Sequence, residues 1–341
     1  MSTQSLSFAE IETLALRALV ASRVSPHNAA HVARSIASAE RDGQGTVGLS
    51  YLPTYCDHAA SGKVDGFATP VLEPLAPAAI RVDAGTGFAH PALALGMPAL
   101  AAAARAYGVA VLAVGNSYAC GSLGYFVEEL AQRGLVALMT ANASPSMAPW
   151  GGATPFFGTN PLAFAVPRAG HAPLVIDQSS SVVAWVAVND ACQRGVPLPA
   201  GWALDNQGKP TTDAAAGLAG SMMPLGGYKG AGLALMVDIL SAGLTRSNYS
   251  YRVSSFGSCD GGPTQCGQLV VAFNPQLLGG MQFLAGLEEM LLAMQQTPAV
   301  RLPGDRRLQA RARQLSAITV PSELVALLTR YGEQGSPMAH P

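Results

Sequence analysis

The middle third of the chain constrains the fold most, because short apolar runs there alternate with an amphipathic helical pattern. Strands are expected at Val109 to Val114 and Val136 to Thr140, with a helix from Ser122 to Gln132 between them. Two more apolar runs follow, Ala163 to Pro167 and Leu174 to Ile176. Such alternation predicts an α/β layer.

The flanks of this layer read differently. From Ser7 to Arg41 apolar residues recur at helical spacing, with Ser25-Pro26 between two helices and Ser25 as N-cap, so an all-helical entry is expected. Gly, Pro and Tyr punctuate Gly43 to Gly66 around the short amphipathic segment LPTYCDHAASG. A strand at Ala79 to Asp83 leads through GTGF into a helix ending near Tyr107. After Pro224, glycines open an apolar helix, Gln268 to Phe273 is a buried strand, and helices are expected over Gly279 to Gln295, Arg307 to Leu315 and Ser322 to Gly332. No repeat or long linker divides the chain, which implies interleaved regions: 1–110 helical and substrate-side, 111–280 α/β and cofactor-binding, 281–341 helices packing back on the subunit.

Charged residues make up 12% of the 341 and hydrophobic residues 49%, at a net charge of -1. An average soluble chain carries about 25% charged residues, so a sizeable subunit interface is expected. Without a basic excess there is no nucleic-acid partner. The most apolar stretch, Pro91 to Gly115, is broken by Arg105 and Gly108, so no membrane span is expected. The first residues lack the pattern of a secretory signal, and five scattered cysteines form no CxxC pair. Both point to a reduced, cytoplasmic protein.

Several motifs carry chemistry. Gly43-Gln-Gly45-Thr-Val-Gly48 matches the GxGxxG dinucleotide fingerprint in form, but it follows a helix rather than a strand, which makes it a plain turn. The loop from Asn142 to Pro161 is too long for a hairpin, and Thr159 and Asn160 close it just before a buried strand, facing a ligand or capping the strand. Gly226-Gly227-Tyr228-Lys229 presents backbone N–H groups and an ammonium to an anion. Pro303-Gly304-Asp305-Arg306-Arg307 is the most basic stretch, suited to a phosphate or to capping the last helices. Asp177 ends a buried strand where ligands bind in α/β sheets. His27, His31, His58, His90, His171 and His340 fit no metal-ligand pattern, and no Gly-x-Ser-x-Gly elbow is present.

Taken in order, GTNPLAFAVP, VIDQSS, GWALDNQGKPTTD, PLGGYKGAGLALMVDIL, GQLVVAFNP and RLPGDRR resemble the malate/L-lactate dehydrogenase family across nearly the whole chain. Within it, RVDAGTGFAHPAL, GQLVV and PGDRR are most similar to the delta-1-piperideine-2-carboxylate/delta-1-pyrroline-2-carboxylate reductases. The resemblance implies a non-Rossmann, sulfolactate dehydrogenase-like α/β fold with interleaved domains, and an obligate homodimer. It places a cofactor, NADP(H) in preference to NAD(H), on Ala119, Cys120, Gly121, Ser122, Leu123, Asp177, Gln178, Ser179, Tyr228, Lys229, Gly304, Arg306 and Arg307. It gives Thr159 to a small carboxylated substrate.

The departures from the family pattern are equally specific. A Ser-His-Gly followed by an arginine becomes Thr46-Val47-Gly48 and Tyr51, an Asn-Ser-x-His becomes Asn116-Ser117-Tyr118-Ala119, and an aspartate of the imine reductases aligns with Ala187. Thr46, Tyr51, Tyr118 and His90 are the candidate substitute donors. A protonated iminium accepts hydride without a separate proton, whereas oxidising a hydroxyl needs a base. The expected activity is therefore NAD(P)H-dependent reduction of a cyclic imine carboxylate. The alternatives are a 2-hydroxy acid dehydrogenase and a cofactor-binding homologue without redox activity.

Overall fold

The apolar alternation of the middle third becomes the centre of one large sheet. In the computed structural model, which describes residues 2–313 and 316–339, the elements run β1 (Thr3–Ser7), α1 (Phe8–Ala21), α2 (Pro26–Arg41), α3 (Leu52–Ala60), β2 (Val71–Ala76), β3 (Ala79–Asp83), α4 (Ala89–Tyr107), β4 (Val109–Ser117), α5 (Leu123–Gln132), β5 (Val136–Ala141), β6 (Leu162–Arg168) and β7 (His171–Gln178). They continue with α6 (Trp185–Gln193), β8 (Ala203–Leu204), β9 (Pro210–Thr211), α7 (Ala214–Ala219), β10 (Ser221–Met222), α8 (Tyr228–Asp238), β11 (Cys266–Phe273), α9 (Pro275–Gly279), α10 (Phe283–Gln295), α11 (Asp305–Arg313), β12 (Ala317–Pro321) and α12 (Ser322–Gln334).

Seven strands pair in the order β2-β3-β4-β11-β5-β6-β7. Every pair is antiparallel except β3 with β4, which α4 connects. A parallel dinucleotide-binding sheet is therefore absent among the described residues, and Gly43 to Gly48 forms tight turns after α2, as its context requires. Helices α4 and α5 cover the sheet through Leu93, Leu100, Phe126 and Leu130, packed with Leu112, Val114 and Val270. A second core joins α1, α2 and α3 to α12 through Ile11, Leu19, Val32, Ile36, Leu52 and Leu328. Ser25 caps α2 as its sequence predicts, with Pro26 in the first turn.

Two expectations are corrected. The entry is not all-helical: β1 pairs with β12 from Thr3↔Pro321 to Ser7↔Ala317, because the packing of α12 on α1 brings the two segments together. Nothing in STQSLS signals a strand locally. β3, on one side of residue 110, pairs directly with β4 on the other. The helix expected to start at Arg307 begins at Asp305, and its expected end at Leu315 lies outside the described residues, as does His340.

Candidate active site

A cleft of about 230 Å³ opens between the loop after β4 and the turn leading into α3. Its walls bring together Tyr51, Ala119, Cys120, Gly121, Leu123 and Thr159, which lie far apart in sequence. Val47, Tyr55, Asn142, Ser146, Trp185 and Phe256 complete much of the lining. Gly121 makes the close approach possible: its φ is +67°, and a Cβ there would stand 3.4 Å from the Tyr55 hydroxyl.

The cleft is largely apolar, with a few hydroxyl and amide groups and no charged side chain among its described lining residues. Tyr51 and Tyr55 sit one turn apart, their rings edge to face at 4.9 Å. Burial pushes the Tyr51 phenol up to about 12 and Tyr55 well above its ordinary value, so both stay protonated near neutrality. Burial likewise raises the Cys120 thiol, which keeps it out of nucleophilic chemistry. Ser146 Oγ is buried without a partner and so has a hydrogen bond to offer a ligand. Tyr55 and Ser146 escaped the sequence reading. The i, i+4 spacing of Tyr51, just before LPTYCDHAA, and Tyr55 within it was the available signal for the first, and the second lies in the long loop Asn142 to Pro161 without a pattern that singles it out.

Other candidates fall elsewhere. Thr46 is exposed and outside the lining, while its neighbour Val47 faces the cleft. Tyr118 is wholly buried behind the wall, packed against Tyr55, Phe88 and Phe256, with its hydroxyl 2.5 Å from His58 Nδ1. His90 is buried outside the cleft lining, its Nδ1 unpartnered and its basicity pushed down to about 3 by burial. Asn160 caps rather than binds: its Nδ2 donates to Ala234 O at 2.9 Å and its Oδ1 accepts from Ser250 Oγ at 3.1 Å. Ala187 follows Trp185 and Val186, the α6 residues that line the cleft.

Behind the same wall lies a second recess of about 330 Å³, lined by Gln44, Ser122, Asp177, Gly304, Arg306 and Arg307 among others. Residues 119–121 and Leu123 face the cleft, whereas Ser122 and Gly124 face the recess. Asp177 Oδ2 accepts from Gly124 N at 2.7 Å and Ser122 Oγ at 2.9 Å, fixing the N-terminus of α5. The carboxylate keeps solvent access, yet the surrounding walls push its pKa above the ordinary value, against those two hydrogen bonds. At Gly304, φ is +84° and a Cβ would come 3.0 Å from Val175 O, so a bare backbone is needed there.

The two arginines of the recess differ. Arg306 is exposed and makes no ion pair among the described residues. Arg307 is buried, gripping Glu128 at 2.9 and 3.1 Å and reaching Asp42 at 3.5 Å. Its guanidinium is thus engaged in an ion pair inside the protein at the wall of the recess. Gln44 Oε1 is buried without a partner in the recess. An orphaned carboxamide and a free guanidinium suit a sugar hydroxyl and a phosphate, so the residues present fit the end of a phosphorylated dinucleotide.

Four of the remaining cofactor candidates are less central. Ser179 exchanges hydrogen bonds with Ser181, and Gln178 is exposed at the strand end. Tyr228 and Lys229 are exposed outside both linings, beyond the turn whose Leu225 N–H donates to Ser180 O.

A largely antiparallel seven-stranded sheet with a cleft backed by an arginine-bearing recess defines a nicotinamide-dependent oxidoreductase outside the Rossmann class. The chain belongs to the malate/L-lactate dehydrogenase family, whose model matches residues 6–329. It is 45% identical over 326 residues to the (2R)-3-sulfolactate dehydrogenase (NADP(+)) of Chromohalobacter salexigens, covering 96% of this chain and 97% of that one. It is 40% identical to the delta(1)-pyrroline-2-carboxylate/delta(1)-piperideine-2-carboxylate reductase of Pseudomonas syringae pv. tomato, covering 92% of each. The crystal structure of delta1-piperideine-2-carboxylate reductase from Pseudomonas syringae pv. tomato superposes with a TM-score of 0.92 at 39% identity, over 96% of this chain and 100% of that one. No described helix is long and apolar enough to cross a membrane.

Proposed function

We propose that this protein reduces the C=N bond of a small cyclic imine carboxylate of the piperideine- or pyrroline-2-carboxylate type, using NADPH. One observation carries the reading: among the described residues lining the cleft there is no imidazole, carboxylate or guanidinium. Positions 47, 51 and 119, where the family pattern supplies two histidines and an arginine, hold Val47, Tyr51 and Ala119 at the cleft wall. A substrate that arrives as an iminium already carries its proton, so such a cleft need only bind it and exclude water. The reduced nicotinamide, when bound, supplies the hydride. Thr159 and Ser146 donate to the substrate carboxylate, and Tyr51 and Tyr55 flank the ring.

In this reading the 119–123 segment divides the nicotinamide end from the phosphate end, with Arg306 on the 2'-phosphate. The active form is a homodimer. Helix α8 supports that: Ala234 and Val237 are buried on one side while Leu235 and Met236 remain exposed on the other. A helix apolar all round belongs inside an assembly. A 2-hydroxy acid dehydrogenase is the second reading, favoured by the similarity to the Chromohalobacter enzyme.

Fluorescence titration with NADPH and NADH, followed by delta-1-piperideine-2-carboxylate, pyruvate and 3-sulfopyruvate, tests the proposal. Tight NADPH binding and rapid oxidation on adding the imine are expected. Faster oxidation with sulfopyruvate would replace the first reading with the second, and NADPH binding without any oxidation would remove both.

A further inference from the structure

Four aromatic rings from three separate segments meet at the cleft: Tyr51 and Tyr55 at the start of α3, Trp185 at the start of α6 and Phe256 in the loop before β11. Tyr118, wholly buried behind the wall, braces two of them, with ring centroids 5.3 Å from Phe256 and 6.0 Å from Tyr55, both edge to face. Trp185 lies alongside Gly257, where a Cβ would stand 3.7 Å from the indole Cη2. Trp185 and Phe256 are only half-buried, so apolar ring surface remains open at the cleft. Such surface gains when a ligand covers it.

The polar part of the lining is small and partly engaged. Asn142 donates from Nδ2 to Asn248 O at 2.8 Å and accepts at Oδ1 from Gly267 N at 2.9 Å. Gln268 accepts from Ser117 Oγ at 2.7 Å and donates to Tyr118 O at 3.2 Å. Hydroxyls such as those of Ser146 and Thr159 are left for a ligand. A carboxylate that leaves water for neutral donors alone recovers only part of its hydration, so apolar contact has to supply the rest of the binding. We propose that the substrate of this cleft is an aryl-bearing cyclic imine carboxylate, its aromatic group against Trp185 and Phe256 and its carboxylate on Ser146 and Thr159; this rests on the reductase reading above.

Trp185 and Phe256 stand outside the 119–123 segment that the cofactor reading uses, which leaves their ring faces to the substrate. The reaction itself is unchanged by the aryl group. The iminium carbon gains one hydride from NADPH, the C=N pair becomes the lone pair of the amine, and the nitrogen keeps the proton it brought. NADP(+) is the oxidised product. What the aromatic wall adds is selection: covering a phenyl group favours its bearer by roughly ten- to a hundredfold over the unsubstituted ring.

The test compares delta-1-pyrroline-2-carboxylate with its derivatives carrying phenyl at carbon 4 or carbon 5, in the wild type and in Trp185→Ala, Trp185→Phe and Phe256→Leu. The readouts are kcat and KM with NADPH and, independently of turnover, calorimetric binding of proline and the matching phenylproline to protein saturated with NADP(+). For the wild type, kcat/KM should favour one phenyl derivative by at least about tenfold, and phenylproline should bind tighter than proline by a similar factor. Trp185→Ala and Phe256→Leu should bring both ratios down toward unity, chiefly through KM for the phenyl derivative. Trp185→Phe, which keeps an aromatic face, should retain most of the preference.

An active wild type that reduces the unsubstituted imine as well as or better than both phenyl derivatives overturns the aryl site and leaves the reductase reading intact. Equal fractional losses on both kinds of imine in Trp185→Ala and Phe256→Leu also overturn it, since rings that only hold the wall in place would act on every substrate alike. Should a variant fail to fold, the wild-type ratio and the product titration decide. A wild type that binds NADPH but reduces none of the imines overturns both readings.

Discussion

Arg306 and Arg307 are neighbours in sequence with opposite surroundings. Arg306→Ala should weaken NADPH binding by at least about tenfold, the worth of a charge-assisted bond to phosphate, and leave NADH binding and the melting temperature unchanged. Arg307→Ala leaves buried Glu128 to Arg311 alone and should cost about 1–3 kcal/mol in a denaturant melt. Equal cofactor losses for both variants would return Arg307 to the binding site. At the substrate, Ser146→Ala removes a hydroxyl that is buried and unpartnered among the described residues of the cleft and should raise KM for the imine carboxylate several-fold with little change in kcat. The basic stretch was legible in PGDRR, but which guanidinium stays free depends on Glu128 and Asp42, which arrive from α5 and the end of α2.

At the scale of elements, the segment between β4 and α5 carries the site because one short stretch faces two cavities. Gly121→Ala would hold a Cβ at positive φ against the Tyr55 hydroxyl, at a cost of roughly 1–2 kcal/mol. The relief available is a shift of that stretch, so kcat should fall and NADPH affinity should weaken together, checked by steady-state kinetics and titration. The existence of this segment and of Thr159 was readable from strand ends and loop residues. The direction each residue faces was not, because Thr46 and Val47 differ by one position and only the packing of the turn against α2 and α3 sends one outward and one into the cleft.

For the whole molecule, two buried neutral histidines predict acid sensitivity. His58 and His90 fall to about 4 and about 3 in the fold from the ordinary 6.5. The unfolded chain therefore binds more protons between those values, and stability drops as pH falls from 6.5 toward 4. Each contributes roughly 3 kcal/mol to that loss. Denaturant melts from pH 7 to pH 4 should show it, and His58→Gln should flatten part of the slope. Exposed Leu235 and Met236 belong to the same scale. Met236→Lys should shift the sedimentation coefficient from dimer toward monomer if α8 lies at the subunit contact.

The sequence by itself determined the α/β layer, the Ser25 cap of α2, the exclusion of a parallel dinucleotide fold and part of the cleft, Tyr51, the 119–123 segment and Thr159, because hydrophobic period and turn chemistry act over a few residues. The pairing of β1 with β12, the division of the 119–124 segment between two cavities, the opposite fates of Arg306 and Arg307, and the meeting of Tyr118 with His58 were decided only by tertiary structure. Those contacts join residues scores of positions apart, and their strength comes from burial, which no local pattern encodes.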